Sequence, residues 1–292
     1  MSEKNSIMME KLKTGKRVVI AEWQQPADTS AAAMQSLCRQ FRGKADVLSV
    51  SDNRDAITIS ALAGASIALA EGLEPILHIT TRDRNRIALA SEVLGARALG
   101  ISNLLVTSGT HQTLGSCSGA KSVYDIDTVQ LLDMIRQPDM AGCFPGAVAD
   151  PFADPPVMQL LQTGKKIRAG AQFLITKPVF DMKAFGQWWE AMLGEGLPDQ
   201  AAVIAGIYIL PDAETARALS AKRPDPRIPA ALLERLAGGQ SREEQRTIGI
   251  QIAMETMGGL LKNPKIRGIA VHSDGDHEAV LEVIEAARKA GV

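Results

Sequence analysis

Short runs of apolar residues recur along the chain, and segments of helical periodicity separate most of them. Strands that are apolar throughout and alternate with helices are typical of a parallel sheet that helices cover on both faces. Eight such units in 292 residues favour a closed (β/α)8 barrel, the TIM barrel of the α/β class, with residues 1–292 as one domain. The predicted strands are Arg17–Ala21, Val47–Val50, Pro75–Ile79, Asn103–Thr107, Cys143–Val148, Gln172–Thr176, Ala202–Ile209 and Ile266–Ala270.

Capping signals mark the clearest helices. An alanine-rich segment ends at Gly72, a favoured residue after a helix, and Asp125 and Asp127 suit the start of another helix. The segment Ser108–Val123 is rich in Ser, Thr and Gly and is expected to be a long functional loop. Proline-rich Arg223–Pro229 is expected to be a loop after the seventh strand. The predicted helices include Ser60–Glu71, Asn85–Leu99 and Ser241–Lys262.

Composition and charge exclude several classes of function. The chain is 46% hydrophobic, which is enough for a large core, and its net charge of −1 offers no basic excess for nucleic acid. No apolar run is long enough to cross a bilayer, and residues 1–16 lack the apolar segment of a signal peptide. Cys38, Cys117 and Cys143 form no CxxC pair, which fits a reducing compartment. We therefore expect a cytoplasmic protein without nucleic-acid or membrane partners.

Polar residues follow nearly every predicted strand. The carboxyl ends of barrel strands meet at one face, where barrel enzymes place their active sites. Glu22 comes directly after an apolar strand and before Trp23, where a purely structural barrel needs no acid. The run His-Ile-Thr-Thr-Arg-Asp-Arg-Asn-Arg at 78–86 is unusual, because a short strand-to-helix connection needs only a cap and a few polar residues. Other residues expected at this mouth are Ser51, Asp52, Arg54, Ser108, Gly109, Thr110, Asp150 and Lys177.

These candidates also have structural interpretations. Glu22 suits an ion pair at the barrel mouth, His78 suits a core histidine bonded to backbone, and Lys177 suits a solvated lysine. No carboxylate–histidine cluster has the spacing of a metal site, and the glycine-rich phosphate motifs are missing. The other three histidines, which we interpret as polar loop residues and not as ligands, are His111, His272 and His277.

Several segments resemble one known family. They include Glu22 after the first strand, the run that begins at His78, and Gly-Ile-Ser-Asn-Leu-Leu at 100–105. Further matches are Gly146-Ala147, Asp150-Pro151 and Ile-Thr-Lys-Pro-Val-Phe-Asp at 175–181. Together these residues are similar to the methylenetetrahydrofolate reductase family, and closest to its short, single-domain forms in acetogenic bacteria. The resemblance extends from about Val18 to Gly291 and itself implies a flavin-binding (β/α)8 barrel.

The resemblance implies flavin-dependent reduction of 5,10-methylenetetrahydrofolate to 5-methyltetrahydrofolate. Glu22 would be the general acid that opens the imidazolidine ring, and we expect burial to raise its pKa. The cofactor would be FAD, with FMN as the alternative. The residues that would contact the flavin are Ser51, His78, Ser108, Gly109, Thr110, Ala147, Asp150, Gln159 and Lys166.

Two positions that would bind the pterin depart from the family pattern, and a milder third change places Gln159 where an aspartate often contacts the flavin ribityl chain. The family usually has aspartate where this chain has Thr110, and glutamine where it has Lys177, and both positions would bind the pterin. A lysine only donates hydrogen bonds, so Lys177 would not accept from the pterin amino group. The alternative function is a pterin- or flavin-binding barrel subunit of a one-carbon complex, with altered or lost reductase activity. An electron-delivering partner subunit or a homo-oligomer is consistent with both functions, and a flavin-free reductase is a third.

Overall fold

The computed structural model describes residues 6–27, 29–54, 56–115, 117–222 and 228–292. Eight parallel strands close into one barrel, in which each strand pairs with the next along the chain and the last strand pairs with the first. The predicted (β/α)8 architecture is confirmed. The strands are β1 Val18–Trp23, β2 Val47–Val50, β3 Glu74–Thr80, β4 Asn103–Thr107, β5 Phe144–Ala149, β6 Phe173–Pro178, β7 Ala202–Tyr208 and β8 Ile266–His272.

Within these ranges, eleven α-helices accompany the strands. The three predicted helical segments coincide with α3, α4 and α10 together with their two capping residues. The hydroxyl of Ser60, for example, accepts a hydrogen bond from the backbone N–H of Ala63 at the start of α3. The helices are α1 Ile7–Lys13, α2 Ala31–Phe41, α3 Ala61–Ala70, α4 Arg86–Ala98, α5 Thr128–Ile135, α6 Pro156–Arg168, α7 Met182–Gly194, α8 Ala213–Lys222, α9 Ala230–Ala237, α10 Arg242–Leu261 and α11 His277–Lys289.

Side-chain alternation along the strands separates two apolar layers. In β1, Val18 and Ile20 belong to a cluster inside the barrel, whereas Val19 and Ala21 pack in the larger layer between strands and helices. The same two-residue period turns Glu22 toward the interior. The inner apolar cluster consists of Met8, Val18, Ile20, Val47, Ile76, Leu105, Phe144, Phe173, Ile175, Ile204 and Ala270.

Helix α1 lies at the amino-terminal end of the barrel. Met8 is fully buried and extends the inner cluster. The carboxylate of Glu74 accepts from the hydroxyl of Ser6 at 2.6 Å and from the backbone N–H of Ile7 at 2.6 Å. Asn103 donates to the same carboxylate at 2.6 Å. These contacts fix α1 over this end, so a cavity along the barrel axis opens at the other end.

Five strands run further than the apolar pattern predicts, among them β5, which ends at Ala149, and β6, which ends at Pro178. β1 continues to Trp23, β3 to Thr80 and β8 to His272, because backbone pairing persists where the side chains become polar. The interpretation of His272 as a loop residue is therefore wrong: it ends β8 and pairs with Tyr208 of β7.

Two predicted loops can be compared with the structure. The described part of Ser108–Val123 is irregular apart from the short 3-10 helix Gln112–Leu114, as expected for a long loop. Residues 223–227 lie outside the described residues, so the proline-rich loop stays a prediction. Among the helices that the structure describes, none has the length and apolar character needed to span a membrane.

Candidate functional site

A cavity of about 490 Å³ opens at the carboxyl ends of the strands. This volume lies within the range of small-molecule sites, roughly 300–1,000 Å³. Side chains from most of the strands and from α6 line it, and the strand-end prediction therefore located the pocket. The predicted site residues that line it are Glu22, Ser51, His78, Ser108, Gly109, Thr110, Asp150, Gln159, Lys166 and Lys177.

Ala147 is the predicted site residue that does not line the cavity. It is fully buried and packs in the layer between the barrel and the helices. Its neighbour Val148 faces the cavity instead, because successive residues of a strand point to opposite faces. Any contact of Ala147 with a cofactor would therefore be indirect or through its backbone, and the predicted contact stays a prediction.

A polar layer crosses four adjacent strands at the base of the cavity. Glu22 of β1 is in register with Ser49 of β2. On the other side, Ala21 of β1 pairs with Val271 of β8, so Glu22 and His272 occupy the next position along these two strands. His78 of β3 completes the layer through its hydrogen bond to Ser49, and barrel closure thus brings together residues from the two ends of the chain.

Glu22 is held among positive groups. Its side chain is 12% exposed, and its Oε1 lies 3.6 Å from Nη1 of Arg54. Burial raises the pKa of this carboxyl. Positive charge on His272, His78 and Arg54 lowers the pKa and outweighs burial, so the pKa of Glu22 lies below its ordinary value. The prediction of a raised pKa for Glu22 is therefore wrong. Burial raises the pKa as predicted, but positive groups from three other segments lower it by more.

His78 is fixed by a side-chain hydrogen bond. Its Nε2 lies 2.6 Å from Oγ of Ser49, and Ser49 is fully buried. Burial lowers the pKa of His78, although the negative charges of Glu22 and Asp52 act in the opposite direction. His78 therefore resembles the predicted core histidine, except that its Nε2 bonds to a hydroxyl and not to a backbone group.

His272 lines the cavity, whereas sequence reasoning interpreted it as a polar loop residue and not as a ligand. It is 3% exposed, and neither ring nitrogen has a hydrogen-bond partner among the described residues. The ring of Tyr208 meets the imidazole edge-on at 4.8 Å between centroids, and the Tyr208 hydroxyl donates to Asp274 at 2.6 Å. Burial lowers the pKa of His272, with Glu22 acting against it. Continuing the two-residue alternation of β8 one step past Ala270 could have found it.

An ion pair crosses from β5 to β6 at the cavity wall. Nζ of Lys177 lies 2.5 Å from Oδ2 of Asp150, so Lys177 is not the solvated lysine of the structural interpretation. Lys166 of α6 donates to the backbone carbonyl of Val148 at 2.7 Å. Burial lowers the pKa of Lys166, and the charge of Asp150 raises it. One charged cluster at the cavity wall thus contains three of the residues predicted to contact a ligand, Asp150, Lys166 and Lys177.

The charged run after β3 ties neighbouring loops together. Arg84 makes two hydrogen bonds to the carboxylate of Asp52, at 2.9 Å and 3.0 Å. Arg82 donates to the backbone carbonyls of Asn53 at 2.9 Å and Thr110 at 2.5 Å. These bonds connect the loops that follow β2, β3 and β4, so the arginines hold the rim of the cavity in place.

Gly109 lines the cavity in a backbone conformation that favours glycine. Its φ is +77°, and a Cβ at this position would lie 2.5 Å from Cγ2 of Thr80, so only glycine fits. Ser108 and Thr110 flank it on the lining, while Gln159 approaches from α6. The loop can therefore present backbone and small polar groups to a flat ligand.

The lining suits a flavin better than a metal. No group of three or more His, Cys, Asp or Glu side chains within the described ranges could hold a metal ion. A flavin ring system presents carbonyl oxygens and ring nitrogens, which need donors and acceptors along one edge. The hydroxyl of Ser51, the ammonium of Lys166 and the open backbone at Gly109 supply donors and a close approach.

Comparisons with known proteins give one family and a set of similar folds. The family model described as methylenetetrahydrofolate reductase matches residues 8–288. A comparison with curated proteins gives no match. An uncharacterized protein from Clostridium thermocellum that binds two copies of 5-methyl-5,6,7,8-tetrahydrofolic acid has a TM-score of 0.67 and 13% identity, with 98% of this chain and 100% of that chain covered. DmoA from Hyphomicrobium sulfonivorans has a TM-score of 0.55 and 9% identity, with 94% and 89% covered.

Proposed function

Because the chain belongs to the methylenetetrahydrofolate reductase family, we propose that it reduces 5,10-methylenetetrahydrofolate to 5-methyltetrahydrofolate with a bound flavin. The observation that carries the proposal is Glu22, an acid at the base of a cavity lined by nearly all of the predicted ligand contacts. The Clostridium thermocellum protein, which has a similar fold, binds the methylated form of this pterin and thereby supports the substrate class.

The flavin, FAD or FMN, would be held by residues from several strand ends. Ser51 and Lys166 would donate hydrogen bonds, Gly109 would let the ring system approach the backbone, and Asp150 and Gln159 would accept from the ribityl hydroxyls. When bound, the reduced flavin would supply the hydride that the methylene carbon of the substrate receives. The close approach of the backbone at Gly109 would let a flat ring lie against this wall, and stacking of the pterin on that ring would position the two reacting atoms.

Glu22 would deliver the proton that opens the imidazolidine ring. The nitrogen that leaves the bridging methylene carbon must take up a proton, and the Glu22 carboxyl, which lines the cavity, would give it. Because the pKa of Glu22 is lowered, the proposed acid is mostly ionised near neutral pH. The rate of ring opening should therefore rise as the pH falls toward the pKa of this carboxyl.

The alternative function is a binding subunit with altered or lost reductase activity. The ion pair between Lys177 and Asp150 favours it, because the family glutamine that binds the pterin is replaced by a lysine already engaged with an acid. An electron-delivering partner or a second copy of the chain fits either function. The retained, cavity-facing Glu22 makes the reductase the better supported of the two.

An absorbance spectrum and one half-reaction test the proposal. The purified protein should show a flavin spectrum, and methylenetetrahydrofolate should oxidise its reduced form in the absence of oxygen. Glu22→Gln should slow that oxidation about a hundredfold or more, because an amide cannot give the proton, while flavin binding is kept. Glu92→Gln changes a half-buried glutamate of α4 that is not part of the cavity lining, and should react at the wild-type rate. A colourless, inactive protein, or a fully active Glu22→Gln variant, would contradict the proposal.

A further inference from the structure

Glu22 needs a source for the proton that it is proposed to deliver. It lies among positive groups, and these stabilise its carboxylate. A carboxylate in this position must be protonated by a neighbour or by solvent before each ring opening. The groups that face Glu22 and His272 from the surrounding elements are Arg54, His78, Tyr208 and Asp274.

Most of these neighbours are unsuited to give a proton to Glu22. Arg54 lies 3.6 Å from the carboxylate, but a guanidinium does not lose its proton in a protein. The Nε2 of His78 is engaged with the hydroxyl of Ser49. The hydroxyl of Tyr208 is engaged with Asp274. Among these neighbours, His272 is the one with both ring nitrogens buried and without a hydrogen-bond partner in the described part of the chain.

The geometry of the barrel sets His272 beside Glu22. The two residues occupy the position after the paired Ala21 and Val271 on adjacent strands, and such strands lie about 4.8 Å apart. Both side chains line the same cavity. His272 is 3% exposed, and both of its ring nitrogens lack a hydrogen-bond partner in the described part of the chain. A buried polar group without a partner is costly, so an imidazole kept in this state points to a role in the site.

We propose that His272 supplies the proton with which Glu22 opens the substrate ring. This inference rests on the proposed reductase function. In the transfer, an N–H bond of the imidazolium breaks, an O–H bond of the Glu22 carboxyl forms, and the imidazole becomes neutral. After Glu22 has given that proton to the substrate nitrogen, the pair takes up one proton from solvent through the cavity mouth. His272 thus acts through Glu22 and is a positioning and proton-supplying residue.

The pair titrates as a unit. The carboxylate of Glu22 favours the charged form of His272, and the imidazolium favours the charged form of Glu22. The form that can react carries one proton shared between the two groups. Hydrogen bonds of this kind commonly tighten only when the substrate is bound, so contact between the two side chains is expected in the complex.

The first test is a nuclear magnetic resonance titration of the histidine rings, which needs no folate. The chain has four histidines, so single His→Gln variants assign all of the signals. In Glu22→Gln the titration midpoint of His272 should fall by about one pH unit or more, because the neighbouring negative charge is removed. The midpoint of His277, on α11 and outside the cavity lining, should stay in place. An unchanged His272 midpoint would overturn the proposal.

The second test is the pH profile of the folate half-reaction. His272→Gln should slow the reaction about tenfold or more near neutral pH and flatten its rise toward low pH, while His277→Gln keeps the wild-type profile. A wild-type profile in His272→Gln would overturn the proposal. If that variant does not fold, the Glu22→Gln titration decides alone. If the His272 midpoint falls as expected in Glu22→Gln but methylenetetrahydrofolate never oxidises the reduced wild type, the proposed function is contradicted and the coupling of the pair is not.

Discussion

Two regions at the carboxyl end of the barrel carry dense charge and are built in opposite ways. In the run after β3, each of Arg82, Arg84 and Arg86 has a carboxylate partner, at 2.6–2.9 Å. At the junction of β1 and β8, Glu22 has Arg54 at 3.6 Å and His272 has no hydrogen-bond partner in the described residues. The arginines at the rim of the cavity thus all have carboxylate partners. Glu22 and His272, which face the place where a substrate would bind, are incompletely paired.

Dense charge in a sequence therefore does not show where the reactive groups of the site lie. The arginine run stands out because its charges are adjacent in the chain, and the structure uses two of these arginines to connect three loops. The pair of Glu22 and His272 is invisible to such a pattern, since its members lie in the first and last strands. What distinguishes it is the combination of burial and missing partners, which only the fold defines.

The largest expected effect is on the rim. Arg84→Met would leave the carboxylate of Asp52, whose side chain is 1% exposed, without its bidentate partner. Breaking a buried ion pair from one side costs roughly 3–5 kcal/mol, so the free energy of unfolding in urea should fall by about this amount. Arg86→Met is the matched control in the same run. Its pair with Asp125 is exposed to solvent, so its loss should change the free energy of unfolding little. Equal losses in the two variants would show that the rim is not held by the Asp52 pair.

The sequence predicts the barrel well because each of its signals is local. Continuous apolar runs identify the strands, and caps such as Ser60 and Ser241 mark helix ends to the residue. Glu22 is found because it follows an apolar run directly. The ion pair of Lys177 with Asp150, and the reversed direction of the Glu22 pKa, depend on contacts between strands. Such contacts follow from register and barrel closure, which no local pattern specifies.

The next effect concerns the two positions that depart from the family. Thr110→Asp combined with Lys177→Gln should tighten methyltetrahydrofolate binding about ten- to a hundredfold, because a carboxylate accepting from the pterin amino group makes a charge-assisted bond. Titration of the wild type and the double variant measures this gain. Lys177→Met is the control, because it removes the ion pair with Asp150 without restoring an amide. If neither the wild type nor the double variant binds methyltetrahydrofolate, the folate proposal is wrong. If the double variant and Lys177→Met gain the same affinity, the gain comes from the loss of the lysine alone.

The smallest expected effect is on stability, and it isolates His272. Burial holds the pKa of His272 below the unfolded value of about 6.5. Below that pH the unfolded chain binds a proton that the folded chain does not, so wild-type stability falls as the pH drops toward the folded pKa. His272→Gln lacks this loss. We measure the unfolding free energy of both proteins in urea between pH 7.5 and 5.5. Below pH 6.5 the value for His272→Gln should rise relative to the wild-type value by up to about 1.4 kcal/mol per pH unit.

The control is His111→Gln, at an exposed histidine in the loop after β4, whose unfolding free energy should change with pH as that of the wild type does. If the unfolding free energies of His272→Gln and the wild type change in parallel with pH, the imidazole takes up a proton in the barrel as readily as in water. The proposed difference between the rim and the pair of Glu22 and His272 would then be wrong.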